Sequence, residues 1–142
     1  MGKDIESGNT LERLVSGQRL AVLATNGAAG PYLSLVAFAA SADRRAFYFA
    51  TPRNTRKWQN LEGESRVALL IDDRPGGQAD FSRSAAVTIT GTALELSGEE
   101  RAAALELYKA RHPGLAEFAA SPGSAFLKIT VSDLYPVNGF NR

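Results

Sequence analysis

No cysteine occurs in this 142-residue chain, which excludes disulfides and thiolate metal sites. Histidine is nearly as scarce: His112 stands alone, and one imidazole cannot build a histidine cage. Neither sign of charge dominates. With 16 Lys and Arg against 15 acids, the net charge of +1 leaves no broad positive field for nucleic acid, and any anion recognition must be local. Long apolar runs are missing as well, since the richest stretches, Leu20–Ala24 and Tyr32–Ala40, are too short to cross a bilayer. The start, Met1-Gly2-Lys3-Asp4-Ile5-Glu6, lacks the apolar core of a secretory leader, and Ser7 falls one place beyond the hydroxyl of a myristoylation signal. These absences predict a cytoplasmic protein that takes no metal, nucleic acid or membrane as partner.

What the chain does hold is enough apolar material, 44% of its residues, for one core and hardly for two, so residues 1–142 read as a single domain. Asn9 and Glu12 stand at capping-box spacing around Leu11, Leu14 and Val15, which predicts a short opening helix ended by Gly17. Arg19–Thr25 and Tyr32–Ala40 are joined by Asn26-Gly27 and Gly30-Pro31 steps that favour reversal, and so form a hairpin. A turn at Ser41–Arg44 leads to a third strand, Ala46–Ala50, antiparallel to the second, with Phe47 and Phe49 on one face and Tyr48 on the other. A helix over 54–62, closed by Gly63, precedes Val67–Ile71, which is apolar throughout and reads as buried on both faces.

Residues 72–84, with Pro75-Gly76-Gly77, make an exposed loop, and Ala85–Leu96 alternates as the longest strand, with Gly91 marking a bulge or bend. Ser97 and Glu100 form a second capping box before a helix that carries Leu105 and Tyr108 on its apolar stripe and stops at Pro113. His112, at that helix end, reads as a cap interacting with the dipole. A last strand runs over Ala125–Val131 towards Tyr135. The sum is a mainly β fold: a six-stranded antiparallel barrel, Greek-key in part, with short flanking helices.

One stretch carries chemistry. From Phe49 to Trp58 a β-rich run gives way to a helix start bearing Arg53, Thr55, Arg56 and Lys57. The first N–H groups of a helix have no internal partner and lie at the positive end of its dipole, so an anion is stabilised there before any side chain acts. Thr55 adds a hydroxyl, Arg56 a planar fork and Lys57 a point charge, a set that suits a terminal phosphate monoester and hence a small phosphorylated cofactor.

The order of elements resembles the FMN-binding split barrels related to pyridoxamine 5′-phosphate oxidase. The likeness spans nearly the whole chain and is most specific at Leu23-Ala24-Thr25 with residues 30–36, at Thr51 through Leu61, and at residues 87–93. In those oxidases a Ser-Arg-Lys helix start holds the FMN phosphate, and Thr55-Arg56-Lys57 match it here. The resemblance therefore implies a split β-barrel with FMN as cofactor. It places Thr55, Arg56 and Lys57 on the phosphate with Arg53 beside them, while Thr51, Ser34, Leu35 and Val36 offer backbone groups and an apolar wall to the ring. It further implies a homodimer with the cofactor at the subunit interface, and a flavin-dependent oxidoreductase acting on a small-molecule substrate or nicotinamide donor. The loop 72–84 and Tyr135–Arg142 are then candidates to reach the partner's cofactor.

A haem-utilisation branch of the same barrels is similar in another way and closer in overall pattern. Its Tyr-Leu-x-Arg-His-Pro segment is matched by Tyr108-Lys109-Ala110-Arg111-His112-Pro113, and its Gly-Phe closing motif is echoed by Gly139-Phe140. The alternatives implied are a haem-binding or haem-degrading protein, a deazaflavin-dependent reductase, and a non-catalytic flavin-binding stress or sensor protein. Departures narrow these. No Arg-x-His pair lies near the C-terminus, which argues against pyridoxamine phosphate oxidation, and Ala85-Ala86-Val87-Thr88 stands where the oxidases carry Arg-Gln-Val-Arg. The haem branch continues beyond its closing motif where this chain stops at Arg142, which argues against haem degradation. No catalytic residue is identified, and the substrate is not named.

Overall fold

The computed structural model describes residues 2–74 and 84–138, with residues 2–7 described by backbone alone. Helix α1 (Gly2–Gly17) leads into β1 (Leu20–Gly27), β2 (Gly30–Ala37), β3 (Ala39–Ala40) and β4 (Ala46–Pro52); α2 (Arg56–Gly63) precedes β5 (Arg66–Asp72) and β6 (Ala85–Glu95). Helix α3 (Gly98–Arg111), a 3₁₀ turn at Pro113–Leu115 and α4 (Ala116–Ala120) come before the long β7 (Ser124–Asn138). The strands form one curled antiparallel sheet in the order β2-β1-β5-β6-β7-β4-β3. No helix among the described residues is long and apolar enough to cross a membrane.

The mainly β, split-barrel architecture is as expected, with seven strands in place of six. The extra strand arises at Phe38. The run Tyr32–Ala40, expected as one strand, divides there into β2, which pairs with β1, and β3, which pairs with β4 at Ala39↔Tyr48 and Ala40↔Phe47. The third predicted strand therefore meets only the tail of the second; its long partner is β7, from Ala46↔Thr130 to Pro52↔Ser124. Phe38 thus joins the two outer edges of the sheet, β2 and β3, and the barrel is closed by the chain rather than by a hydrogen-bonded ladder.

Two side chains hold this junction, Tyr108 on α3 and His112 at its C-cap. Tyr108 donates to the carbonyl of Ala37, and His112 Nε2 lies 2.7 Å from the carbonyl of Phe38. A carbonyl only accepts, so Nε2 carries the proton, and the buried His112 is a structural group. Arg111 reaches α1, as described below.

Two further expectations are corrected. Helix α1 begins well before Asn9, which lies inside it, so the Asn9/Glu12 spacing is not a cap; Glu12 is used to bind Arg44. Ser97 is the N-cap of α3 but makes no side-chain cap bond, and Glu100 accepts from Lys128 at 2.8 Å instead.

Inside the curl lie Leu23, Phe47, Phe49, Leu69, Ile71, Val87, Ile89, Leu127 and Ile129, delivered by alternate positions of each strand, with Leu14 of α1 in the same cluster. A second cluster, built on Tyr108, Phe126, Leu105 and Ala119, fills the space between the outer side of β4 and β7 and helices α3 and α4. Gly91 sits at a register shift in β6, where a Cβ would come within 2.2 Å of the Thr130 carbonyl; the predicted bulge is a place where two backbones approach too closely for a side chain. Strand β5 departs from its predicted burial on both faces. Val67, Leu69 and Ile71 are buried, but Ala68 and Leu70 are only partly covered, because nothing in the described chain lies over the outer face.

The loop 75–83 and the tail 139–142, to which a reach toward a partner and the Gly139-Phe140 echo were assigned, lie outside the described residues.

Candidate functional site

The predicted clamp lies where β4 hands over to α2. Thr55 is the N-cap, with extended backbone, and its hydroxyl accepts from the Trp58 N–H at 3.2 Å. The same hydroxyl donates to the Pro52 carbonyl at 2.9 Å. With its one proton so directed, the 3.2 Å contact to the buried Thr51 hydroxyl is one in which Thr51 donates. Thr51 and Thr55 thus fix the turn from within, and the hydroxyl read as a phosphate donor is first a helix cap worth about 1 kcal/mol.

The three cations part company. Arg53 turns away from the helix start: its guanidinium pairs with Glu95, donates to the Pro122 carbonyl at 3.2 Å and lies 5.3 Å from the centroid of the Trp58 ring. Arg56 turns the other way, 5.7 Å from the centroid of Tyr32 on β2. Lys57 is half-buried, and burial lowers its ammonium below the ordinary 10.5. Neither Arg56 nor Lys57 has an acidic partner among the described residues, whereas Arg44, Arg53, Arg66, Arg74 and Lys128 each sit on a carboxylate.

Strand β2 supplies the opposite wall. It is an edge of the sheet, so one side of its backbone presents N–H and C=O groups without ladder partners. Tyr32, Ser34 and Val36 share the inward face. Val36 is buried in the core, while the Ser34 hydroxyl is buried without a hydrogen-bond partner among the described residues. Such an orphan is uncommon in a folded chain and marks a position where something else supplies the bond. Leu35 faces outward, away from these groups, and is 68% exposed.

A cleft of about 250 Å³ lies between the β1–β2 hairpin tip and α2, lined by residues 27–32 with Arg56, Gln59 and Asn60. Tyr32 and Gln59 were not among the predicted site residues. The signal for Tyr32 was available: it stands two places before Ser34, on the same face of the same strand.

The family model described as pyridoxamine 5′-phosphate oxidase matches residues 9–138. Among solved structures, a haem binding protein from Mycobacterium smegmatis superposes with a TM-score of 0.83 at 20% identity, over 96% of this chain and 55% of that protein. The haem storage protein HutZ from Vibrio cholerae gives 0.77 at 14% identity, over 89% and 92% of the two chains. A FAD-binding protein from Mesorhizobium loti gives 0.71 at 15%, over 91% and 90%. This chain therefore spans little more than half of the mycobacterial protein, and at these identities the likeness is one of fold. No curated protein matches the chain in sequence.

Proposed function

This chain belongs to the pyridoxamine 5′-phosphate oxidase family, and on that premise we propose that it binds FMN and acts as a flavin-dependent oxidoreductase in a cleft completed by a second copy of itself. One observation carries the reading. Arg56 and Lys57 open α2 without an acidic partner among the described residues, beside an edge strand whose Ser34 hydroxyl is buried and unsatisfied. These groups fit FMN: two cations and the free N–H groups of the first turn take a phosphate dianion, and Ser34 with the open edge of β2 takes the polar rim of a flat ring.

When bound, the flavin supplies the redox chemistry; the chain binds and orients it. Arg56 and Lys57 hold the phosphate, and Thr51 and Thr55 keep the turn that aims them. Arg53 joins only by exchanging Glu95 for the ligand. Val36 contributes backbone alone, since its side chain is buried, and Leu35 serves the second copy rather than the ring.

The second copy is argued from register. Leu35, Val22, Leu70, Thr88 and Tyr135 lie side by side across β2, β1, β5, β6 and β7 on the outer face. Leu33, at 65% exposed, stands beside Leu35 on the outer face of β2. A band of four apolar side chains and Thr88 across five strands is more than a single chain leaves open without use, and a two-fold partner covers it with the same band.

The haem alternative finds less support in this chain, because its lone imidazole is buried and committed to the Phe38 carbonyl. Titration with FMN, read by flavin fluorescence, is the test. Replacing Arg56 and Lys57 together by Ala is expected to weaken FMN at least about tenfold more than riboflavin, which lacks the phosphate. Equal losses would overturn the assignment, and a Soret band on adding haem, with no affinity for FMN, would favour the alternative.

A further inference from the structure

We propose that the cleft between the hairpin tip and α2 is a subsite for the adenine ring of a dinucleotide whose diphosphate sits on Arg56 and Lys57; the diphosphate placement rests on the clamp proposed above. At about 250 Å³ the cleft falls just below the range of pockets that enclose a whole drug-sized ligand. It has room for one heteroaromatic ring and its sugar.

Its walls suit such a ring. The Arg56 guanidinium and the Tyr32 ring are two flat surfaces 5.7 Å apart, guanidinium carbon to centroid, and either offers a stacking plane. The hairpin tip is made of Gly27, Ala28, Ala29 and Gly30, and a Cβ built on Gly30 would meet nothing within 4 Å, so a ligand can approach the backbone. Gly27 has less room: a Cβ there would come within 2.4 Å of Asn60 Oδ1, so the Asn60 side chain would have to move. Asn60 is anchored by its Nδ2, which donates to Thr25 Oγ1 at 3.1 Å. Gln59, exposed on the same wall, presents an amide donor and acceptor together, the pattern that complements the amino group and ring nitrogen of adenine. No lining residue is acidic, so nothing repels a diphosphate beside the ring.

The test compares FAD, FMN, ADP and inorganic pyrophosphate by calorimetry on the intact protein. FAD is expected to bind about tenfold more tightly than FMN, and ADP about tenfold more tightly than pyrophosphate, with ADP displacing FMN. Q59A is expected to remove most of the FAD advantage while leaving FMN unchanged, and Y32L to lower the FAD-to-FMN ratio whatever it does to stability. FAD and FMN of equal affinity would overturn the subsite and leave the FMN reading intact. Failure of both flavins, with ADP still bound more tightly than pyrophosphate, would overturn the FMN reading and keep the subsite. ADP and pyrophosphate bound alike, or neither bound, would overturn the subsite outright.

Discussion

Arg19 and Arg111 bind across the junction of α1 and α3: Arg19 donates to the carbonyl of Arg111 at 2.9 Å, while the Arg111 guanidinium reaches back to the carbonyls of Val15, Ser16 and Gln18 that surround the end of α1. A helix end leaves its last carbonyls without partners, and here one cation serves three of them. Arg111→Met keeps the aliphatic stem and removes the donor. It is expected to cost about 2 kcal/mol in denaturant unfolding, with FMN affinity of the folded protein unaltered.

Lys57 predicts a conflict between stability and binding. Burial disfavours its charged form in the folded chain, so without ligand the protein gains stability as pH rises through the lowered folded-state value toward the ordinary 10.5. Lys57→Met is expected to raise the thermal midpoint of the ligand-free protein at neutral pH and to weaken FMN. A fall in both would show that Lys57 has a structural partner.

Tyr108 sets an alkaline limit. Burial pushes its phenol up to about 12, above the ordinary 10.0. The neutral form is favoured in the folded state, so the contribution to stability is complete below about pH 10 and is lost between there and about pH 12. Tyr108→Phe is expected to flatten the fall in stability over that window, measured by chemical unfolding at stepped pH.

Leu35→Glu places a charge at the edge-strand end of the apolar outer row. Sedimentation is expected to show a shift from dimer to monomer, with weaker FMN binding and an unchanged far-UV spectrum. A dimer that survives the change would place the interface elsewhere.

The hairpin of β1 and β2 was legible because the Asn26-Gly27 and Gly30-Pro31 steps bracket a reversal that needs little else. The break at Phe38 was not. The residues from Tyr32 to Ala40 all favour strand, and what divides them is tertiary: the Phe38 N–H donates to the Arg19 carbonyl, and α3 holds the carbonyls of Ala37 and Phe38. The proposed clamp rests on the chemistry of Thr55, Arg56 and Lys57, which are neighbours in sequence. That Arg53 leaves the group could not be read from that stretch, because its partner Glu95 arrives 42 residues later. Glu100 misled for the same reason, its position three after Ser97 being outweighed by Lys128, 28 residues away.

The seam between the outer edges of the sheet, β2 and β3, is bordered by two strands but governed by neither. Chain continuity at Phe38 and its anchors on α3 determine how wide the mouth stands, as a hinge pin fixes the swing of a door. A molecule entering that gap should report itself at a distance, as slower hydrogen exchange at the Phe38 amide.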